Sequence, residues 1–496
     1  MGTELELKLV VDDPSQLDAL LRSSPVEAVA SGVEHTERLR SVYFDTPDHV
    51  LARNHTAIRV RFAGTRRIQT VKTRMQSGSG HARGEWEANL ANGQLDLTAV
   101  PEGAVRTLLD GVADRLTEVF ETEFDRTTRR LRLSPETEVE LAIDRGEVRS
   151  DARSAPIREA ELELKSGDAA ALFDFARRLH ETVPFRLEQK SKAARGYALH
   201  SAAPPAPADA EEVALAPDLT TGQAFLTIAA GCARHLAANE ACARAGVHAR
   251  GVHQMRVATR RLSSAITLLR DFLPDEWTVE LTRELRWLTG ELADAREWDV
   301  FLAETLPPLR KAVDDARFDG LAAACGTARE RAYERVRAAL RAERYTQLLL
   351  ALGGALERPL AAQTPVLDVA RDLLNARQAK LRKAAKKAAG RDAEWLHRLR
   401  IRFKKLRYAT EFLGSLFGQP RRRRRLIDAA KALQDALGRL NDMTTTPALL
   451  ATLPDDAAHA FGRGAIAGWQ AARVDEAMRA LPGLLADFRK IAPITS

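Results

Sequence analysis

Along the first 200 residues, short runs alternate polar with apolar positions: ELELKLV from Glu4, AIRVRF from Ala57, RIQTVK from Arg67, GEWEANL from Gly84, TEVELAI from Thr137 and AELELK from Ala160. Gly, Asp, Pro or Ser stand between them, and a period of two broken by such residues predicts β-strands. Longer segments near Pro14 to Ser23 and Ala169 to Val183 repeat their apolar positions at helical spacing, so this part is α+β. Beyond residue 218 the alternation vanishes, and long stretches rich in Ala, Leu and Arg with a 3.6-residue period predict an all-α region. Between the two, SAAPPAPADAEEVALAPD from Ser201 to Asp218 has no apolar period and reads as a semi-rigid linker. The expected organisation is therefore a domain over residues 1–200, a linker over 201–218 and a helical domain over 219–490.

Alternate side chains of a strand share a face, so Glu4, Glu6 and Lys8 project together while Leu5, Leu7 and Leu9 project to the other side. ELELK recurs from Glu161 to Lys165, and one-sided charge appears again in Arg59 with Arg61, Glu85 with Glu87 and Glu138 with Glu140. Any one such strand is readily a solvated outer face. Several together are not, because like charges on neighbouring positions repel unless a counter-ion lies between them. A closed barrel with a charged lumen resolves the repulsion. Arg59, Arg61, Lys72 and Arg126 would then hold phosphate oxygens, with two-pronged contacts open to the arginines. The acids would carry Mg²⁺ or Mn²⁺, hard cations that bind through carboxylates, phosphate oxygens and water and that position water for in-line attack.

E-x-E-x-K near the start, YFDTPD from Tyr43, paired arginines, a second E-x-E-x-K and SKAARGY from Ser191 together resemble the CYTH, or triphosphate tunnel metalloenzyme, family over most of residues 1–200. The resemblance implies an eight-stranded antiparallel tunnel that cleaves triphosphates with a divalent metal. By position it makes Glu4, Glu6, Glu161 and Glu163 metal ligands, with Glu140 or Asp144 assisting. Lys8, Arg59, Arg61, Lys72, Arg126, Lys165 and Lys192 would contact phosphate. Arg129 or Arg130 could replace Arg126 after a small shift of register, and Lys190 competes with Lys192. His35, His49, His55 and His81 lack metal spacing and read as surface residues. Ser77-Gly-Ser-Gly80 precedes a strand and reads as a hairpin, because no helix N-terminus follows to bind phosphate.

The helical half contains a duplication. HQMRVATRRLSSAITLL from His253 lies over HRLRIRFKKLRYATEFL from His397 at an offset of 144 residues. His253, Arg256 and Arg260 match His397, Arg400 and Lys404, and at about 100° per residue each trio falls within about 60° on one helix face. Two similar bundles would bring the two basic stripes to one groove. Basic residues usually decorate solvated faces, but acids are scarce from Lys380 to Arg425, which points to a polyanion. These H-x-x-R helices resemble the CHAD, or conserved histidine α-helical, domain over roughly residues 219–490. That resemblance implies binding of inorganic polyphosphate through His253, Arg256, Arg260, Arg261, His397, Arg400, Lys404, Lys405 and Arg407, joined by Arg296 and Arg344. Tyr345 and Tyr408 read as core.

Charge supports two separate tasks: residues 1–200 hold 29 Lys and Arg against 33 Asp and Glu, while the remainder holds 46 against 35. Aromatic residues are 5% of the chain, too few for a base-stacking platform, so nucleic acid is disfavoured as the partner. Cys232, Cys242 and Cys325 sit in Ala-rich helical sequence without C-x-x-C spacing and read as small buried residues of a reducing compartment. An acidic opening without an apolar run, and no stretch of about 18 apolar residues, predict a cytoplasmic chain off the membrane, in reach of polyphosphate granules. The leading expectation is a metal-dependent inorganic triphosphatase carrying a polyphosphate-binding domain. The alternatives are a binding and targeting protein without turnover, or a triphosphatase or cyclase acting on an organic triphosphate such as thiamine triphosphate or ATP.

Overall fold

The computed structural model describes residues 5–77, 80–91, 94–151, 153–201, 203–313, 315–454 and 457–495, leaving aside the side chains of 74–83, 441–444 and 457–458. They form two compact units: residues 1–204 with 343–358, and 205–342 with 359–496.

The first unit is built on a nine-stranded antiparallel sheet: β1 (Leu5–Val10), β2 (Ala30–Asp45), β3 (Thr56–Ala63), β4 (Arg66–Ser77), β5 (Gly80–Asn89), β6 (Thr117–Arg132), β7 (Glu138–Ser150), β8 (Arg153–Ser166) and β9 (Arg186–Leu187), in the order β5-β4-β3-β2-β6-β7-β8-β1-β9. The expected count of eight is exceeded by β9, a two-residue strand that pairs with the end of β1 and is too short to leave a periodic signal.

The sheet is apolar on its outer side. Leu9, Leu131, Val139, Leu141, Ile143, Ala160 and Leu162 form one buried cluster with Leu172, Phe173, Phe175, Ala176 and Leu179 of the Ala169–Thr182 helix. Ile58 and Val71 pack under a second cap made by Leu51, Val100, Leu109 and Val112. With the hydrocarbon outside, the charged positions of the same strands face inward. Asp144 and Glu159 are wholly buried there, which a solvated outer face would not produce.

One piece of this unit comes from far along the chain. The Glu343–Glu357 helix packs on the Ala169–Thr182 helix and adds Leu350 to the outer core. Gly353 permits this approach, since a Cβ there would lie 2.1 Å from Phe173. Gln347 bonds to the Arg177 carbonyl at 3.3 Å and to His180 Nδ1 at 3.0 Å, and Arg358 pairs with Asp174 at 2.6 Å.

The second unit is helical through its described length apart from its turns, the segment before Thr221 and residues 359–365. Residues 205–218 belong to this unit and lie along it. Val213 and Leu215 are buried, Ala208 exchanges backbone bonds of 2.9 Å with the Asn239 amide, and Arg250 pairs with Asp209 at 2.6 Å. The duplicated helices are Ala249–Leu268 and Ala393–Leu413, joined where Arg261 donates to Glu411 at 2.5 Å. Cys232, Cys242 and Cys325 are buried free thiols. Among the described residues, no helix is long and apolar enough to cross a membrane.

Candidate active site and anion cleft

Register decides which charged side chains meet. Across β1, β8 and β7 it sets Glu6 opposite Glu163 and Glu163 opposite Glu140, then Lys8 opposite Glu161, and Glu159 opposite Asp144. β6 continues the inner face, with Arg126 opposite Asp144 and Arg130 opposite Glu140. Arg129 is on the other face, paired to Glu27 at 2.7 Å, so of the neighbouring arginines it is the one that does not look inward. On the far side, Arg61 stands opposite Ser41 and Arg59 opposite Tyr43. Lys72 stands opposite Glu85, and their charges meet at 2.9 Å.

The acidic side is a dense ion network. The Lys192–Ser201 helix puts the Lys192 ammonium 2.6 Å from Asp144 and 2.9 Å from Glu161, and in contact with Glu159. Arg126 grips Asp144 through two bonds of 2.7 and 2.6 Å and also reaches Glu161. Lys8 bonds to Glu161 at 2.9 Å and to Glu6. Lys165 lies 2.6 Å from Glu163 and 3.4 Å from Glu140. Burial works against the Glu161 charge, yet Lys192, Lys8 and Arg126 hold that carboxyl well below the usual range. Glu6 moves the other way, raised by burial and then by Glu161.

The described residues of the opposite wall include acids only on β5, where Glu85 pairs with Lys72 and Glu87 acts on Arg61 from a distance. Among the described residues neither Arg59 nor Arg61 has an ion-pair partner, and Arg59 donates only to the Tyr43 hydroxyl, at 3.3 Å. Burial, followed by the neighbouring Arg59, pulls Arg61 down to about 10. Two guanidinium groups side by side without a paired carboxylate have the chemistry that suits a multivalent anion. A cleft of about 460 Å³ lined by Arg38, Glu123, Arg145, Glu147, Arg149 and Arg158 is more balanced, because Arg38, Arg145 and Arg149 pair with acids.

The acid cluster already holds a cation. Asp144, Glu159 and Glu161 offer oxygens within 4.8 Å of one another, and the group held among them is itself a cation, the Lys192 ammonium. Hard oxygen donors of this kind suit Mg²⁺ or Mn²⁺.

In the second unit a cleft of about 350 Å³ is lined by Arg260, Arg286, Arg377, Lys404 and Lys405 together with the hydroxyls of Ser263, Ser264, Thr267, Thr282 and Thr289. The Asp275–Glu291 and Val366–Ala385 helices complete its wall beside the duplicated pair. Burial, then Arg260, Arg400, Arg407 and Arg256, push Lys404 down to about 7. His253 falls to about 4 through burial and the charges of Arg296, Arg260, Arg250 and Arg256. Positive groups are therefore crowded here faster than acids can balance them.

Residues 2–197 match the model of the CYTH domain family, and residues 227–451 match that of the CHAD domain. The chain is a CYTH domain joined to a CHAD domain. A curated protein of Haemophilus influenzae described as an inorganic triphosphatase is 33% identical over 207 residues, 40% of this chain and 56% of that protein. The chain thus spans little more than half the length of that relative. A Mycobacterium tuberculosis protein is 33% identical over 183 residues, covering 33% of this chain and 34% of its own. For the CHAD domain, the crystal structure of the CHAD domain from the plant Ricinus communis is similar at 29% identity and a TM-score of 0.51, covering 58% of this chain and 98% of that one.

Within the CYTH domain, Glu6, Lys8, Arg59, Arg61, Lys72, Arg126, Glu140, Asp144, Glu161, Glu163, Lys165 and Lys192 are gathered about the inner face; Glu4 lies outside the described residues. Glu159 and Arg195, which pair with each other there, were missed. Glu159 continues the alternation of Glu161 and Glu163, so its signal was present. In the CHAD domain, Arg260, Lys404 and Lys405 line the cleft, while Arg256, Arg296, Arg400, Arg407 and His253 crowd around it. Arg261 is buried against Glu411 and the Phe412 ring, and Arg407 pairs with Glu411 at 2.6 Å. His397 is exposed. Arg344 lies within the CHAD match but on the Glu343–Glu357 helix, which groups with the first unit. Arg286 and Arg377 were missed, because neither belongs to the duplicated motif.

Proposed function

We propose that this protein is a metal-dependent hydrolase of inorganic triphosphate whose CHAD domain binds long-chain polyphosphate. The observation that carries the first half is the arrangement of charge on one face, carboxylates on β1, β7 and β8 against Arg59 and Arg61 on β3, which have no ion-pair partner among the described residues. Arg59 and Arg61 would hold the non-bridging oxygens, and Lys72 would add charge at the rim. Glu6, Glu161 and Glu163, assisted by Glu140 and Asp144, would hold Mg²⁺ or Mn²⁺. When bound, that ion supplies charge neutralisation on the phosphoryl group and orients water. Arg126 and Lys192 keep the acids ionised and in place. The Haemophilus influenzae relative's description as an inorganic triphosphatase supports this choice of substrate.

The test is phosphate release from tripolyphosphate by the full chain with Mg²⁺, Mn²⁺ or chelator, alongside thiamine triphosphate and ATP. Preference for tripolyphosphate, dependence on metal and loss of turnover in Glu163→Gln are expected; metal-independent release, or tight binding without product, overturns the reading. For the CHAD domain, the crowding of Arg260, Arg286, Arg377, Lys404 and Lys405 supports a linear polyanion. Binding of polyphosphate no tighter than DNA of equal charge would remove that half.

A further inference from the structure

Two of the sequence signatures still lack a role: the aspartate of YFDTPD and the closing tyrosine of SKAARGY. The structure joins them. Asp45 is 0% exposed, and the donors that satisfy it are all neutral: Oδ1 accepts from the amides of Thr46 at 2.7 Å and Leu51 at 2.9 Å, and Oδ2 from the amide of Ala52 at 2.9 Å and the Tyr197 hydroxyl at 3.0 Å. A carboxylate taken out of water must be hydrogen-bonded. Three of its bonds are local, made by the turn that leads into the Val50–Arg53 helix. They fix the carboxylate in place, so it offers Tyr197, 152 residues further along the chain, an anchor with no freedom of its own.

What the anchor holds is the Lys192–Ser201 helix. Lys192 and Arg195 leave it toward the acids: Lys192 lies 2.6 Å from Asp144 and 2.9 Å from Glu161, and Arg195 contacts Glu159. At about 100° per residue, Tyr197 leaves the helix about 140° around from Lys192. The helix is therefore held from two sides, and a rotation that freed Tyr197 would swing Lys192 out of its cage. Gly196 lies against the Phe120 ring, where a Cβ would come within 2.1 Å, so the helix rests directly on that ring. Burial, then Asp45, raises the Tyr197 hydroxyl above its ordinary 10, so it keeps its proton and donates. Asp45 also ends β2, two residues after Tyr43, whose hydroxyl accepts from Arg59 at 3.3 Å. One bond thus ties the strand end beside Arg59 to the helix that carries Lys192.

We propose that Asp45 and Tyr197 are positioning residues of the site: their hydrogen bond sets the rotation of the Lys192–Ser201 helix and thereby the place of the Lys192 ammonium among Asp144, Glu159 and Glu161. Both act through Lys192 and neither is asked to touch substrate. The consequence for turnover rests on the proposed triphosphatase reading, whereas the placement of Lys192 does not.

Tyr197→Phe in the full-length protein tests it, because the ring stays against Phe120 and only the hydroxyl goes. The first readout is reductive methylation of lysines, mapped by mass spectrometry without metal or substrate, with Lys165 as the internal reference. Lys192 should be labelled about tenfold faster than in wild type, as the loss of one hydrogen bond to a charged group allows, while Lys165 keeps its rate. On tripolyphosphate with metal, kcat should fall about tenfold and KM stay within about twofold, because Arg59 and Arg61 are untouched. Unchanged Lys192 labelling overturns the proposal. Equal rises at Lys192 and Lys165, or failure to fold, overturn it as well, since the bond would then support the whole domain and not one side chain. Turnover equal to wild type with Lys192 labelled faster does the same, because the placement would serve nothing. Wild type without turnover refutes the triphosphatase reading alone, and the labelling result still decides whether Tyr197 places Lys192.

Discussion

Lys192 Nζ lies 2.6 Å from Asp144 Oδ2, with the lysine side chain 8% and the aspartate 0% exposed. Removing the ammonium leaves Asp144, Glu159 and Glu161 facing one another. Lys192→Met should destabilise the CYTH domain by about 3–5 kcal/mol, the usual cost of stranding a buried charge. Urea unfolding read on the CYTH transition checks this, and a loss below about 1 kcal/mol would show that Arg126 and Arg195 suffice.

Acid should weaken the same domain. Glu161 is held well below its ordinary 4.5, so its contribution is complete above that value and disappears as pH falls through the depressed folded one. Glu6, raised above 4.5, acts in reverse, since its protonation on acidification favours the folded state. The expected profile is a CYTH melting temperature that falls below about pH 4.5, with Glu6→Gln more stable than wild type near neutrality and Glu161→Gln less so. Equal shifts in the two variants would contradict the assignment.

Polyphosphate binding should depend on pH near neutrality. Lys404, at about 7 against an ordinary 10.5, is largely neutral above pH 7 in the free protein, and a bound polyanion would favour its charged form. Binding then takes up a proton, so Kd should rise as pH goes from 6 to 8.5, by at most about tenfold per unit. In Lys404→Arg the charge is permanent and the slope should flatten. His253, at about 4, is already neutral throughout that window and contributes nothing to the slope. Titrations at fixed ionic strength decide, and equal slopes would exclude Lys404.

Gly353→Val should crowd Phe173, where an added Cβ alone would sit 2.1 Å from the ring. Overpacking of this kind costs about 1–3 kcal/mol. The loss should appear in the CYTH transition although residue 353 follows more than a hundred residues of the helical unit, and an unchanged CYTH midpoint would refute the packing role of this helix.

Much of the site was written in the strand alternation, because a period of two fixes which letters share a face and Glu6, Glu161, Glu163, Arg59 and Arg61 all follow it. Pairing between strands is not local, so alternation alone could not choose between Arg126 and Arg129; register did, by setting Arg126 against Asp144. Glu343–Glu357 was illegible for another reason. Its Leu- and Ala-rich run, LLLALGGAL, is what any buried helix in a helical domain would show, and nothing in it names its partner. Arg286 and Arg377 escaped because a cleft between four helices draws side chains from segments that share no motif.

The Glu343–Glu357 helix also sets a schedule. The CYTH strands are complete by residue 187, but the outer core that includes Leu350 cannot close until the chain has been made through Arg358. During synthesis at about 5–20 residues per second, the sheet must wait many seconds with the face of its Ala169–Thr182 helix uncovered, while the helices between are already being made. A chain truncated after residue 204 would carry that same bare face permanently, and would be expected to aggregate rather than to stand as a free domain.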